Sequence, residues 1–130
     1  LAQDTWKSWH QNGELRYKGV LVDGYWSGSF KSYHENGETF AKGEWEAGYP
    51  IGTWNTWHST GEIRSKGMYY EGDPAGCWKT WHSDGTRASV GSYSDGKTVG
   101  TWYEWSATGK RKKEKFGGSA DEGRCWWPLI

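Results

Sequence analysis

Aliphatic bulk is what this chain has least of. Its 130 residues include one Met, three Pro and two Cys, and Leu, Ile and Val are few. A compact globule fills its centre with those aliphatic side chains, so an ordinary layered core is excluded. Long apolar runs are also missing and mean hydropathy is strongly negative, which excludes a membrane-spanning helix. No segment repeats its apolar residues at helical spacing, so helices are not expected. Net charge is zero, and no overall field selects a partner.

What is present is aromatic: 12 Trp and 8 Tyr beside 20 Gly. Disordered chains lack aromatics, so an ordered fold is expected, with burial supplied by rings lying on glycine-permissive backbone. The residues fall in register at a period of 24. One aromatic column is Trp6, Phe30, Trp54, Trp78, Trp102 and Trp126; three residues on stand Trp9, Tyr33, Trp57, Trp81 and Trp105. Glycine columns run through Gly13, Gly37, Gly61, Gly85 and Gly109, then Gly19, Gly43, Gly67 and Gly91. Two more run through Gly24, Gly48, Gly72 and Gly96, and through Gly28, Gly52, Gly76 and Gly100. A fixed period of this length marks a repeat architecture.

Each unit reads as strand, turn, strand, turn. Thr53–His58 is rich in aromatic and β-branched residues, as strands are. Turns follow at Gln11-Asn12-Gly13 and Glu35-Asn36-Gly37, where Asn-Gly predicts a two-residue hairpin turn with positive φ at both positions. The expected fold is all-β: one elongated, twisted antiparallel sheet of about five stacked hairpins plus a terminal strand. The units are about 5–27, 28–51, 52–75, 76–99 and 100–123, with a partial unit at 124–130, all in one repeat domain. Return-strand aromatics Trp45, Tyr69 and Tyr93 fall between the first-strand rings, giving an interleaved aromatic ladder. Gly43, Gly67 and Gly91 leave room for rings over bare backbone, and Trp54 and Trp57 point to opposite faces by strand parity.

The unit resembles the MORN repeat in its bacterial variant form. The matching residues are Gly52, Trp54, Trp57 and His58; the Asn36-Gly37-Glu38 turn; and the returns Lys42-Gly43 with Trp45 and Lys66-Gly67 with Tyr69. The likeness covers residues 5 to about 109 and fades over 110–130. It implies a hairpin sheet used for protein binding, lipid-proximal scaffolding or self-association, with some bacterial members acting as toxin immunity partners, and it implies no catalytic residue.

Candidate chemistry is sparse. His10, His34, His58 and His82 share one column, about 9.6 Å apart at two strand spacings, too far to ligate one ion at about 2.0–2.1 Å. They read as a structural ladder. Catalysis needs a unique constellation in a pocket, whereas nearly every polar residue here has equivalents in other copies. No enzyme activity, metal or cofactor is expected. Acids match bases through the first four units, so nucleic acid is not expected; a carbohydrate or lipid surface stays open.

Cys77 and Cys125 occupy one column two units apart, about 19 Å in a regular sheet. A disulfide needs Cα atoms within about 7 Å. Three options follow: free thiols, a tail folded back out of the stack, or bridges between copies. Residues 110–130 carry six bases and three acids against ten and 13 before them, and Lys110, Arg111, Lys112 and Lys113 form a candidate anion or partner contact. Cys125, Trp126 and Trp127 are candidate contacts between copies. An eleventh strand at the end makes the two edges run parallel, which opposes simple head-to-tail stacking. The chain is expected to bind itself, in a filament or surface assembly, or another protein as an immunity or adaptor module. The opening Leu1-Ala2-Gln3-Asp4 resembles a cleaved export signal; a cytoplasmic home is the alternative.

Overall fold

A computed structural model describes residues 3–118 and residue 125. Ten strands follow one another: β1 (Gln3–Trp9), β2 (Leu15–Val22), β3 (Tyr25–Tyr33), β4 (Thr39–Glu46), β5 (Tyr49–Trp57), β6 (Ile63–Tyr70), β7 (Asp73–Trp81), β8 (Arg87–Ser94), β9 (Lys97–Trp105) and β10 (Arg111–Phe116). They form one open antiparallel sheet whose spatial order is the chain order. Trp126 and Trp127 lie outside the described residues, as does the proposed terminal strand except for Cys125, which is not in a strand. The described residues hold ten strands, and the eleventh expected over 124–130 falls outside them.

The two turn columns differ from the sequence reading. Asn12-Gly13 and Asn36-Gly37 do not make two-residue turns with positive φ at both positions. Only the glycines there are left-handed, at φ 93° and 89°. The turn is closed by Gly13 N–H donating to the His10 carbonyl and His10 N–H to the Glu14 carbonyl, a type I turn completed by a left-handed glycine. The two-residue turns with both residues left-handed lie at the other end of the strands: Asp23-Gly24, Ala47-Gly48, Glu71-Gly72 and Asp95-Gly96. Asn does its work at the first turn through its side chain instead, with Asn36 Oδ1 accepting from Glu38 N–H at 3.0 Å.

The mid-strand glycines sit at interruptions of the ladder. Lys42 pairs with Asn55 and Glu44 with Ile51, so Gly43 alone stands against Gly52, Thr53 and Trp54. Gly67 faces Gly76, Cys77 and Trp78 in the same way, and Gly91 faces Gly100, Thr101 and Trp102. Such a bulge bends the strand and re-aims a side chain. Gly52, Gly76 and Gly100, each at φ 67°, supply the left-handed step. The re-aimed indole lies over the glycine: a Cβ built on Gly43, Gly67 or Gly91 would overlap Trp54, Trp78 or Trp102. The ring N–H then donates to the next carbonyl of the same strand, Trp54 to Glu44 at 3.2 Å, Trp78 to Met68 at 3.2 Å and Trp102 to Ser92 at 3.1 Å.

Burial is correspondingly local. The buried apolar side chains are Ala41, Trp54, Val90 and Val99. The sheet is held by contacts between successive strands rather than by a centre.

Candidate functional site

One face carries a continuous file of rings. Tyr17 meets Trp26 at 5.8 Å, Trp26 meets Phe30 at 5.2 Å, and Phe30 meets Trp45 at 5.8 Å. The file continues through Trp45–Trp54 (5.2 Å), Trp54–Tyr69 (6.3 Å), Tyr69–Trp78 (5.2 Å), Trp78–Tyr93 (6.0 Å) and Tyr93–Trp102 (5.1 Å). All of these are edge-to-face, an arrangement worth about 0.5–1.5 kcal/mol per pair beyond area burial. Trp6, opposite Gly19 on β1, is half exposed at 49%. Its indole N–H, ahead of Ser8 and Arg16, holds the Tyr17 phenol below its ordinary range.

The first-turn edge is a hydrogen-bond ladder. His10 Nε2 donates to the Tyr33 carbonyl at 2.8 Å, His34 to Trp57 at 2.7 Å, His58 to Trp81 at 2.8 Å and His82 to Trp105 at 2.8 Å. Donation to a carbonyl places the proton on Nε2. Asn12 and Asn36 add amide bonds to the Glu35 and Ser59 carbonyls. Each unit thus donates to the next. The ladder stops at Ser106, whose hydroxyl instead accepts from Lys110 N–H at 3.1 Å. No group of three His, Cys, Asp or Glu among the described residues could hold a metal ion.

Cys77 and Cys125 are bonded to each other within the chain, Cα atoms 5.2 Å apart. The expectation of a bridge between copies is corrected, as is that of free thiols: Cys125 leaves the stack and lies over β7, the folded-back option. Cys125 Sγ is 3.0 Å from the Gly91 carbonyl oxygen, a sulfur–oxygen contact, since an oxidised sulfur has no proton to donate.

The basic cluster is dispersed along β10. Arg111 lies over the Tyr103 ring at 5.0 Å, Lys112 stands opposite Glu104 and Lys113 opposite Tyr103. Lys110, Arg111 and Lys112 border a hollow of about 470 Å³ with Trp105. Lys113 does not border that hollow and points to the face opposite Lys112, so the four do not form one patch.

Glycine-floored bulges, indoles laid over them and hairpins stacked in chain order together define the repeating unit. Residues 5–23 match the MORN repeat variant family. The later hairpins repeat the columns of that MORN unit. No curated protein matches the chain. Repeats of that family commonly mediate interactions and are generally non-catalytic. On this sheet Trp9, Tyr25, Tyr49 and Tyr70 are each more than half exposed.

One arrangement escaped the sequence reading. Lys7 pairs with Lys18, Lys18 with Lys31, Lys31 with Lys42, and, beyond Asn55, Lys66 with Lys79. Directly opposed residues share a face, so these lysines form one row across the sheet. The signal was present as two columns, Lys7, Lys31, Lys79 and Lys18, Lys42, Lys66, but only strand register joins them.

Proposed function

We propose that this chain is a non-catalytic interaction module that pairs with a second copy of itself through the β1 edge. The observation carrying this reading is the inequality of the two edges. Among the described residues β1 is paired on one side only, and it exposes Trp6 and Trp9 at 49% and 58%. Unpaired strand edges are templates for another chain. The carbonyl of Trp9 is equivalent to those of Tyr33, Trp57, Trp81 and Trp105, each of which accepts a histidine from the unit before.

The β10 edge is blunted. Glu114 stands opposite Trp102, in the place where β4, β6 and β8 put Gly43, Gly67 and Gly91 opposite Phe30, Trp54 and Trp78. A side chain there excludes the indole that a following unit would lay down. β1 and β10, the outermost of the described strands, run antiparallel, so parity between them does not oppose head-to-tail growth, but Glu114 and Ser106 do. A closed two-fold pairing of β1 with its counterpart, isologous and antiparallel, is favoured over a filament. The disulfide suits an oxidising compartment and supports export.

Analytical ultracentrifugation from 1 to about 200 μM tests the pairing. A dimer converted to monomer by Trp6→Lys with Trp9→Lys is expected. A monomer throughout, or a dimer indifferent to both substitutions, overturns it. The second reading is an immunity or adaptor protein gripping one foreign partner along the exposed tyrosines Tyr25, Tyr49 and Tyr70; a one-to-one complex that replaces the dimer would favour it.

A further inference from the structure

The lysine row lies on the face opposite the ring file. Phe30 is in the file and Lys31, its chain neighbour, is in the row. From Lys7 on β1 to Lys79 on β7 the row covers six strand spacings, about 29 Å at about 4.8 Å each. Like charges placed directly opposite each other destabilise a sheet. Edge strands carry lysines to deter pairing, but Lys18, Lys31, Lys42 and Lys66 are on interior strands.

Along the chain acids match bases, but no acid stands in the row itself. Asp4, Asp23, Glu46, Glu71, Asp73 and Asp95 fall at or beside the second-turn ends of the strands, and Glu14, Glu35, Glu38, Glu62 and Asp84 at or beside the first-turn ends. The row also stops where the chain covers its own face. Continuing the pairing, Lys79 meets Val90 and Val90 meets Tyr103. Val90, Ser92 and Val99 are 1%, 4% and 9% exposed, beside Cys125 and with Gly118 against Val99. Lysine is thus replaced by an apolar residue where the face is occupied and retained where it is open.

A second file runs parallel to the row on the same face. Tyr33 receives Lys31 Nζ at 5.3 Å from its ring centroid, and Trp57 shares a hollow of about 320 Å³ with Lys31 and Lys42. On the other side of the row a larger hollow of about 630 Å³ is lined by Lys18, Lys31 and Lys42 with the hydroxyls of Thr5, Ser29 and Thr53. Glu38 borders the first hollow and Glu44 the second.

We propose that this face binds single-stranded nucleic acid, with phosphates along the lysine row and bases stacked in the hollow beside Trp57. A line of cations tracking the backbone, with aromatic rings alongside it, is the arrangement that holds unpaired strands without reading their sequence. An acidic peptide would satisfy the lysines but leave the aromatic file unused.

Fluorescence anisotropy with a labelled 20-nucleotide oligothymidine, between 50 and 200 mM NaCl, tests this on the intact chain. With about 0.7 counterions released per phosphate contact, five or six lysines give a slope of log K on log salt of about −3.5 to −4.2. Lys18→Gln with Lys31→Gln and Lys42→Gln should weaken binding at least tenfold and flatten that slope by about 2. Trp57→Ala should weaken it roughly tenfold with the slope unchanged, and Trp57→Tyr should restore it. Melting curves check that the variants fold. Absence of binding at 100 μM protein overturns the proposal. So does equal competition by polyglutamate per unit charge, which would indicate an acidic protein partner. Aggregation of the triple-lysine variant without loss of oligonucleotide affinity would also overturn it, assigning the row to keeping sheets apart.

Discussion

Gly67 lies beneath the Trp78 indole, so close that a Cβ on the glycine would overlap the ring, while the ring N–H reaches over to the Met68 carbonyl at 3.2 Å. Gly67 is not among the residues with positive φ, so its backbone would accept alanine. The ring is what forbids it. Gly67→Ala should therefore lower stability by about 2–3 kcal/mol through overpacking and a displaced hydrogen bond, read as a fall in urea midpoint. Combined with Trp78→Leu it should cost less than the sum of the two.

Ala47 has φ 48°, in a conformation that disfavours a Cβ by about 1–2 kcal/mol. Its counterparts Asp23, Glu71 and Asp95 hold the same conformation. Ala47→Asn should raise stability by about 0.5–1 kcal/mol, because asparagine tolerates the left-handed region. The midpoint of chemical unfolding should move upward with an unchanged slope.

Cys77 and Cys125 are 48 residues apart, and closing such a loop restricts the unfolded chain by about 4 kcal/mol. Replacing both with serine should cost about 2–4 kcal/mol. The oxidised protein should run as a monomer on a non-reducing gel, and peptide mapping should recover the Cys77–Cys125 pair.

Burial, ahead of repulsion from Tyr93, pushes the Tyr69 phenol above its ordinary range. The folded state then keeps a proton that the unfolded state releases. The contribution is complete below about pH 10 and is lost as pH rises through the raised value. Melting temperature should fall at alkaline pH, and Tyr69→Phe should flatten that fall.

The repeat, the single sheet and the ring file were legible because 24-residue columns put Trp54, Tyr69 and Trp78 in file without knowledge of register. The turn types were not. Asn36-Gly37 carries a strong local signal, yet the histidine ladder and Asn36's bond to Ser59 hold a wider turn, while Ala47-Gly48 adopts the tight one with an unremarkable sequence. Which of three places Cys125 takes was not legible either, for a related reason. Cys125 falls in the column of Cys77, but one step is missing in β10: Lys113 stands opposite Tyr103 and Glu114 takes the glycine position. The lysine row needed pairing between strands, which chain spacing alone does not give.

Strand order equal to chain order has a kinetic consequence. Every hairpin needs only its predecessor to dock, so the costly closure of long loops is avoided at each step. Assembly can proceed as a zipper that starts at any hairpin and spreads to its neighbours. The link from Cys77 to Cys125 is the exception: it closes a span of 48 residues in one step, and the docked hairpins between them hold the two sulfurs within reach. Oxidation at that stage acts as a latch on a finished fold.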